Sequence, residues 1–190
     1  MYHIKILKTM KRIIIAIAIM CLALPLSAQT LTTSKNAPKM NTRKKEMRER
    51  RDMAKPYDEK INAMEQIEIA LEEARASNRL VMCQVGGNWC PWCLKFNQFI
   101  HDNKDIAELV DKHFVYIHVN TSKENKNIEA LKRLGNPGRF GYPVLVILDH
   151  EGRVLHIQNS SYLEEEKSYN TKRVMEFFQN WTLEAINTIK

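Results

Sequence analysis

Between Tyr57 and Ser77, apolar residues recur every three or four positions, at Ile61, Met64, Ile67, Leu71 and Ala74, with Glu and Lys between them. That period predicts an amphipathic helix. Asn78-Arg79 interrupts it, and the pattern changes to a short apolar run, LVMCQV (Leu80–Val85), suited to a buried strand. Gly86-Gly87-Asn88 turns the chain, and Trp89-Cys90 leads into a second helix. Pro91 fits its first turn, where a missing N–H is no loss, and Phe96, Phe99 and Ile100 form its apolar face. DIAELVDKH reads as a further helix, FVYIHVN (Phe114–Asn120) as a second strand, and Glu124–Leu134 as a helix with Ile128, Leu131 and Leu134 inward. A loop at Gly135-Asn136-Pro137-Gly138 precedes a third strand, PVLVILD (Pro143–Asp149). The turn DHEG joins it to a fourth, RVLHIQN (Arg153–Asn159), as a hairpin. Thr171–Ile189 closes the chain as one helix, with Val174, Phe177, Phe178, Trp181, Leu183 and Ile186 available to pack. Helices alternating with strands, then a hairpin and a last helix, argue an α/β fold with a mixed sheet. No internal repeat is visible.

The first 28 residues follow another pattern. Lys5, Lys8, Lys11 and Arg12 give a basic start without acids. Ile13–Leu26 is a run of 14 residues, apolar but for Pro25, and Ser27-Ala28 supplies small residues before Gln29. This is the layout of a secretory signal peptide cleaved near Ala28, and Met10 opens a complete leader of its own. The run falls short of the roughly 20 residues that span a bilayer. Cys21 follows Met20 rather than a small residue, so it reads as a passenger of the leader. The expected organisation is a signal peptide over 1–28, a polar, basic arm over 29–55 and one folded domain over 56–190, which works outside the cytoplasm or in the periplasm.

Charge supports that division. The chain carries +7, of which the leader holds +4 and Lys35–Lys55, with nine basic and three acidic residues, holds +6. The rest is therefore at −3. A nucleic-acid partner wants a basic face on the domain itself, so none is expected. The arm reads as a solvated linker, or as an attachment to an anionic surface.

Outside the leader three cysteines remain, Cys83, Cys90 and Cys93. An odd number does not close a disulfide framework in an oxidising compartment. Cys83 in its apolar strand reads as a buried thiol. Cys90 and Cys93 lie three apart at the start of a helix, where Cβ atoms stand about 5–6 Å apart, close enough to form a disulfide after a small adjustment. The unpaired N–H groups of a helix N-terminus favour a thiolate at Cys90. Cys90 would then attack a substrate disulfide, and Cys93 would resolve the mixed disulfide. Two other readings stay open: a zinc clip, for which the scattered histidines supply no second ligand pair at the usual spacing, and a static structural disulfide. No metal or cofactor is expected.

The order strand–GGNWCPWC–helix, followed by FGYPVLVILDHEGRVL, resembles the thioredoxin superfamily. It is most similar to exported thioredoxin-like proteins with WCxWC centres and to the C-terminal domain of thiol:disulfide interchange proteins. The resemblance covers Tyr57 to the C-terminus and implies a three-layer fold, a mixed sheet flanked by helices. It implies Cys90 as nucleophile, Cys93 as resolving cysteine, and Pro143 as a cis-proline beside the site, preceded by Tyr142. Trp89 would pack against the active-site surface, with plain core packing as the alternative. Trp92 would be exposed and meet substrate or partner. The implied function is reduction or isomerisation of protein disulfides by a monomer served by a thiol–disulfide electron donor or acceptor, a membrane protein among the candidates. A protein-binding module that keeps its CxxC disulfide as a staple is the alternative. Three departures stand out, one of them Val144, where the family often places Thr after the cis-proline. Gln84 occupies the place of thioredoxin's buried Asp and cannot titrate. The dipeptide between the cysteines is Pro-Trp, proline first as in glutaredoxins and the oxidant DsbA, which leaves the redox direction open.

Overall fold

A computed structural model describes residues 54–188; the expected leader and nearly all of the basic arm lie outside the described residues. Helix α1 (Ala63–Ser77) leads into β1 (Leu80–Gly86). Then come α2 (Pro91–Asp102), α3 (Lys104–His113), β2 (Phe114–Asn120) and α4 (Ile128–Arg133). A 3₁₀ turn (Pro137–Phe140) precedes the hairpin β3 (Val144–Leu148) and β4 (Val154–Asn159). A second 3₁₀ turn (Ser160–Leu163), the short ribbon β5 (Glu164–Glu165) and β6 (Ser168–Tyr169), α5 (Thr171–Asn180) and α6 (Leu183–Asn187) complete the order.

Four strands form one sheet in the order β2-β1-β3-β4. β1 is parallel to β2, with Leu80 opposite Phe114 and Gly86 opposite Asn120. Such a pair needs a long crossover, which α2 and α3 supply. β3 is antiparallel to both β1 and β4. The central strand β1 is buried along its whole length, so its two faces divide by alternation. Val81, Cys83 and Val85 join Ile67, Leu71 and Ala74 of α1 in one core. Leu80 and Met82 join Phe96 of α2, Ile106 of α3 and Phe178 of α5 in the other. Phe96, Phe114 and Phe178 are fully buried, each contributing about 1.5–3 kcal/mol. This is the three-layer α/β arrangement, with the hairpin where the pattern placed it.

Several helix bounds differ from the periodicity. α1 begins at Ala63, where Asn62 Oδ1 accepts from Met64 N at 3.0 Å, and Tyr57 is in the loop before it. α4 begins at Ile128 rather than Glu124, because two asparagine amides stitch the preceding loop to the start of α1. Asn125 Nδ2 donates to Ile61 O at 2.9 Å. Asn127 accepts from Ala63 N at 3.1 Å and donates to Asn120 O at 2.9 Å. Side-chain bonds of this kind compete with helix formation. Ile128, expected inward, is 50% exposed as a result. The closing helix breaks at Trp181, because Thr182 Oγ1 caps a new helix by accepting from Ala185 N at 3.2 Å. Ile186, beyond the break, is exposed.

β2 carries an uncompensated polar group. The His118 ring meets Tyr57 and Tyr116 edge-on at 5.1 and 5.3 Å, and its Nε2 is buried without a partner. Burial disfavours the charged imidazolium and lowers its pKa to about 4.

Two stability measurements follow from these contacts. Asn127 has φ 48°, so Asn127→Ala both removes two hydrogen bonds and places a Cβ-bearing residue without a polar side chain in the left-handed region. We expect a loss of about 2–3 kcal/mol in urea unfolding. Unfolded His118 gains its proton below its usual pKa of about 6.5, whereas the native side chain gains it only near 4. Unfolding therefore takes up a proton between those values, and stability falls as the pH drops through that window. His118→Leu should flatten this part of the stability–pH curve; a slope equal to that of the parent would show that His118 is not its source.

Candidate active site

The pair of cysteines sits where β1 runs out against the start of α2. Gly86 is the last residue of β1, and a Cβ there would stand 2.5 Å from Cys93 Sγ. No other residue lets strand and helix approach this closely. Gly86 O also accepts from Thr121 N at 2.7 Å, which ties the turn to the end of β2.

Cys90 is the N-cap of α2, with φ −99° and ψ 105°, and Pro91 takes the first helical position. The Cys90 sulfur accepts from Cys93 N at 3.1 Å, the role a Ser or Asp oxygen usually plays at an N-cap. Cys90 O accepts from Cys93 N at 3.1 Å and from Leu94 N at 3.2 Å. First-turn N–H groups and the positive end of the helix dipole thus surround Cys90, the electrostatic setting that lowers a thiol pKa. Cys93 is fully buried one turn in. The two sulfurs are joined as a disulfide, with Cα atoms 5.2 Å apart. Cys83 is a free thiol inside β1; burial pushes its pKa up to about 12, so it stays protonated and unreactive.

The surroundings of the pair are aromatic. The Tyr142–Pro143 peptide bond is cis, as the resemblance implied, and Tyr142 packs against the cysteine cluster. Trp89 meets Tyr142 edge-on at 5.4 Å, and its Nε1 donates to Thr121 O at 2.9 Å. It is 53% exposed, so it forms rim rather than core. Trp92 was expected to be exposed and is instead half-buried. Its ring meets Tyr169 edge-on at 5.5 Å, Lys95 Nζ lies 4.4 Å from its centre, and Tyr169 Oη donates to Trp92 O at 3.1 Å. The β5–β6 ribbon, which hydrophobic periodicity did not signal, supplies that tyrosine. A groove of about 490 Å³ runs from Trp89 past Thr121 and Lys123 to Ile128 and Leu131.

Beneath the pair lies a buried polar layer of which the sequence singled out only Gln84; its partners Tyr57 and Tyr116 were not anticipated. Gln84 is fully buried. Its Nε2 donates to Tyr57 Oη at 2.5 Å and to Cys93 O at 3.0 Å, and its Oε1 accepts from Tyr116 Oη at 2.5 Å. Tyr57 packs directly against Cys90 and Cys93. Asn88 clamps its backbone, with Oδ1 accepting from Tyr57 N at 3.2 Å and Nδ2 donating to Tyr57 O at 2.8 Å. Burial raises the phenol pKa of both Tyr57 and Tyr116, so both keep their protons. One available signal was a lone tyrosine after Pro56, off the apolar stripe of the helix that follows.

Among the described residues no group of three or more His, Cys, Asp or Glu is placed to hold a metal ion, and no helix is long and apolar enough to cross a membrane.

Comparison with known proteins agrees with this architecture. Residues 62–150 match the family described as thioredoxin-like. A disulphide isomerase from Xylella fastidiosa Temecula1 superposes with a TM-score of 0.59 at 24% identity, over 66% of this chain and 95% of its own. An oxidoreductase, DsbH, gives a TM-score of 0.42 at 19% identity over 58% and 77% of the two chains. A thioredoxin from Thermus thermophilus gives 0.42 at 21% identity over 60% and 84%. No curated protein sequence matches. With its mixed sheet flanked by helices and its Cys-x-x-Cys pair at the head of α2, this chain has a thioredoxin-like fold, and residues 62–150 match the thioredoxin-like family.

Proposed function

We propose that this protein is an exported thiol–disulfide oxidoreductase that reduces or isomerises disulfides of other proteins through Cys90 and Cys93. The observation that carries the reading is the asymmetry of the pair: Cys90 caps the helix and its sulfur accepts from Cys93 N, whereas Cys93 lies one turn in; both are buried, at 4% and 0% exposure. In the dithiol form the Cys90 thiolate attacks one sulfur of a substrate disulfide, and the other substrate sulfur leaves with the electron pair and takes up a proton. Cys93 then loses its proton and attacks Cys90 Sγ. The Cys90–Cys93 bond forms, the mixed disulfide breaks, and the second substrate sulfur departs as a thiol. The protein ends oxidised by two electrons, and a dithiol donor resets it.

Trp89 and Tyr142 form the exposed rim across which a substrate strand would lie, and Pro143 stands behind Tyr142. Export rests on the leader at 1–28. The zinc and staple readings predict other behaviour: a staple would be inert to dithiol donors, and a zinc clip would bring metal with the purified protein.

Insulin reduction with a dithiol donor tests the reading. Cys90→Ser is expected to lower the rate at least a hundredfold; an unchanged rate rejects the mechanism. Cys93→Ser, expressed with its leader, is expected to accumulate mixed disulfides with other proteins outside the cytoplasm, on a chain whose intact mass begins at Gln29. Mass spectrometry of the trapped species identifies substrates and donor, and a variant that traps nothing speaks for the staple.

A further inference from the structure

Given the Cys90/Cys93 cycle proposed above, we propose that the Tyr57 hydroxyl is the hydrogen-bond donor that stabilises Cys93 as a thiolate when it resolves the mixed disulfide. The argument is one of donors and acceptors. Cys93 O can only accept, so the Gln84 atom 3.0 Å from it is the amide nitrogen. Its second N–H goes to Tyr57 Oη, while the amide oxygen takes the proton of Tyr116 Oη. Tyr57 Oη therefore accepts from Gln84, and its own proton points elsewhere. His118 Nε2, the other acceptor in the layer, has no partner, so it does not receive that proton.

What remains in front of the hydroxyl is sulfur. A methyl group built on Gly86 would stand 3.0 Å from Tyr57 Oη and 2.5 Å from Cys93 Sγ, so the two atoms are neighbours across the space of one absent side chain. Tyr57 belongs to the same small cluster as both cysteines. With Cys93 in a disulfide, its sulfur is a weak acceptor. Once that bond opens and the thiol ionises, the sulfur becomes a charged acceptor, and the neighbouring O–H closes on it by a small shift of the two side chains. Tyr57 gains and loses no proton itself; the proton that Cys93 releases ends on the departing substrate sulfur.

The titratable groups around this layer are Tyr57 from the loop before α1, Cys83 from β1, Tyr116 and His118 from β2, Tyr142 from the loop before β3 and Tyr169 from β6. Burial keeps the phenols of Tyr57, Tyr116 and Tyr169 protonated, and Cys83 as well. The Glu59 carboxylate accepts from Asn88 at 3.2 Å, on the outer side of the loop. A hydrogen bond to the charged form of Cys93 is thus the lever that this layer offers for lowering its pKa.

The test is a titration of Cys93 by thiolate ultraviolet absorbance in the Cys90→Ser background, which needs no substrate. Tyr57→Phe is expected to raise the Cys93 pKa by about one unit, a tenfold loss of thiolate near neutral pH. Fluorotyrosine incorporated at position 57, a stronger donor of nearly the same shape, should lower it. Tyr116→Phe removes an equally buried hydroxyl that does not face Cys93 and should leave the value in place. In otherwise wild-type protein, Tyr57→Phe should lengthen the lifetime of the mixed disulfide about tenfold and leave the first attack by Cys90 unaltered. An unmoved Cys93 pKa in Tyr57→Phe, an equal shift in Tyr116→Phe, or a rise with fluorotyrosine overturns the assignment. Failure of the parent protein to reduce insulin would instead overturn the oxidoreductase reading, and the titration distinguishes the two.

Discussion

Strand β1 and helix α2 meet so closely at Gly86 and Cys93 that a single Cβ on the strand would collide with the sulfur. This approach organises the rest of the site. It brings the buried cysteine against the end of the central strand, directs the head of the helix out of the sheet edge, and leaves Cys90 as the residue where helix and turn join. The sheet makes the approach possible because β1 is its second strand, bonded on both sides and buried along its length. A strand clamped in that way moves little, and the helix N-terminus that it positions is correspondingly rigid.

The two sulfurs inherit different environments from this one joint. Cys90 lies at the mouth of the helix, where its sulfur accepts from Cys93 N, beside an aromatic rim of Trp89 and Tyr142. Cys93 faces inward onto Gln84 and Tyr57, and Tyr116 lies on the far side of Gln84. The inner layer contains no ionised group: its hydroxyls and amide are arranged in one direction, and burial holds its phenols protonated. A neutral, oriented layer of this kind stabilises charge only when charge develops in front of it, which is the property that preorganised dipoles bring to a reaction centre.

Much of the architecture was legible along the chain. The strand LVMCQV, the turn GGN, the proline opening α2 and the β3–β4 hairpin all follow from local rules about periodicity, turn residues and helix starts, and each stands where those rules put it. The helix ends were harder to read. Asn127 and Thr182 use their side chains to replace helical hydrogen bonds, and nothing in the apolar stripe registers that. Trp92 departs from its expected exposure for a similar reason. Trp92 is covered by Tyr169, a residue of a ribbon too short to show a pattern, while Trp89 is left half in solvent with its indole N–H fixed by Thr121.

By itself the sequence determined the cysteine spacing, the helix start that makes Cys90 a cap, and the glycine that admits Cys93 to the end of the strand. These depend on residues within a few positions of one another, where backbone sterics and hydrogen-bond geometry act directly. Only the tertiary structure decided what lies behind Cys93. Tyr57 reaches that place because Asn88, 31 positions away, grips its backbone, and Tyr116 completes the layer through Gln84 across 32 positions. Contacts between such distant residues are set by the register of the sheet and the closure of loops, and no local pattern carries that information.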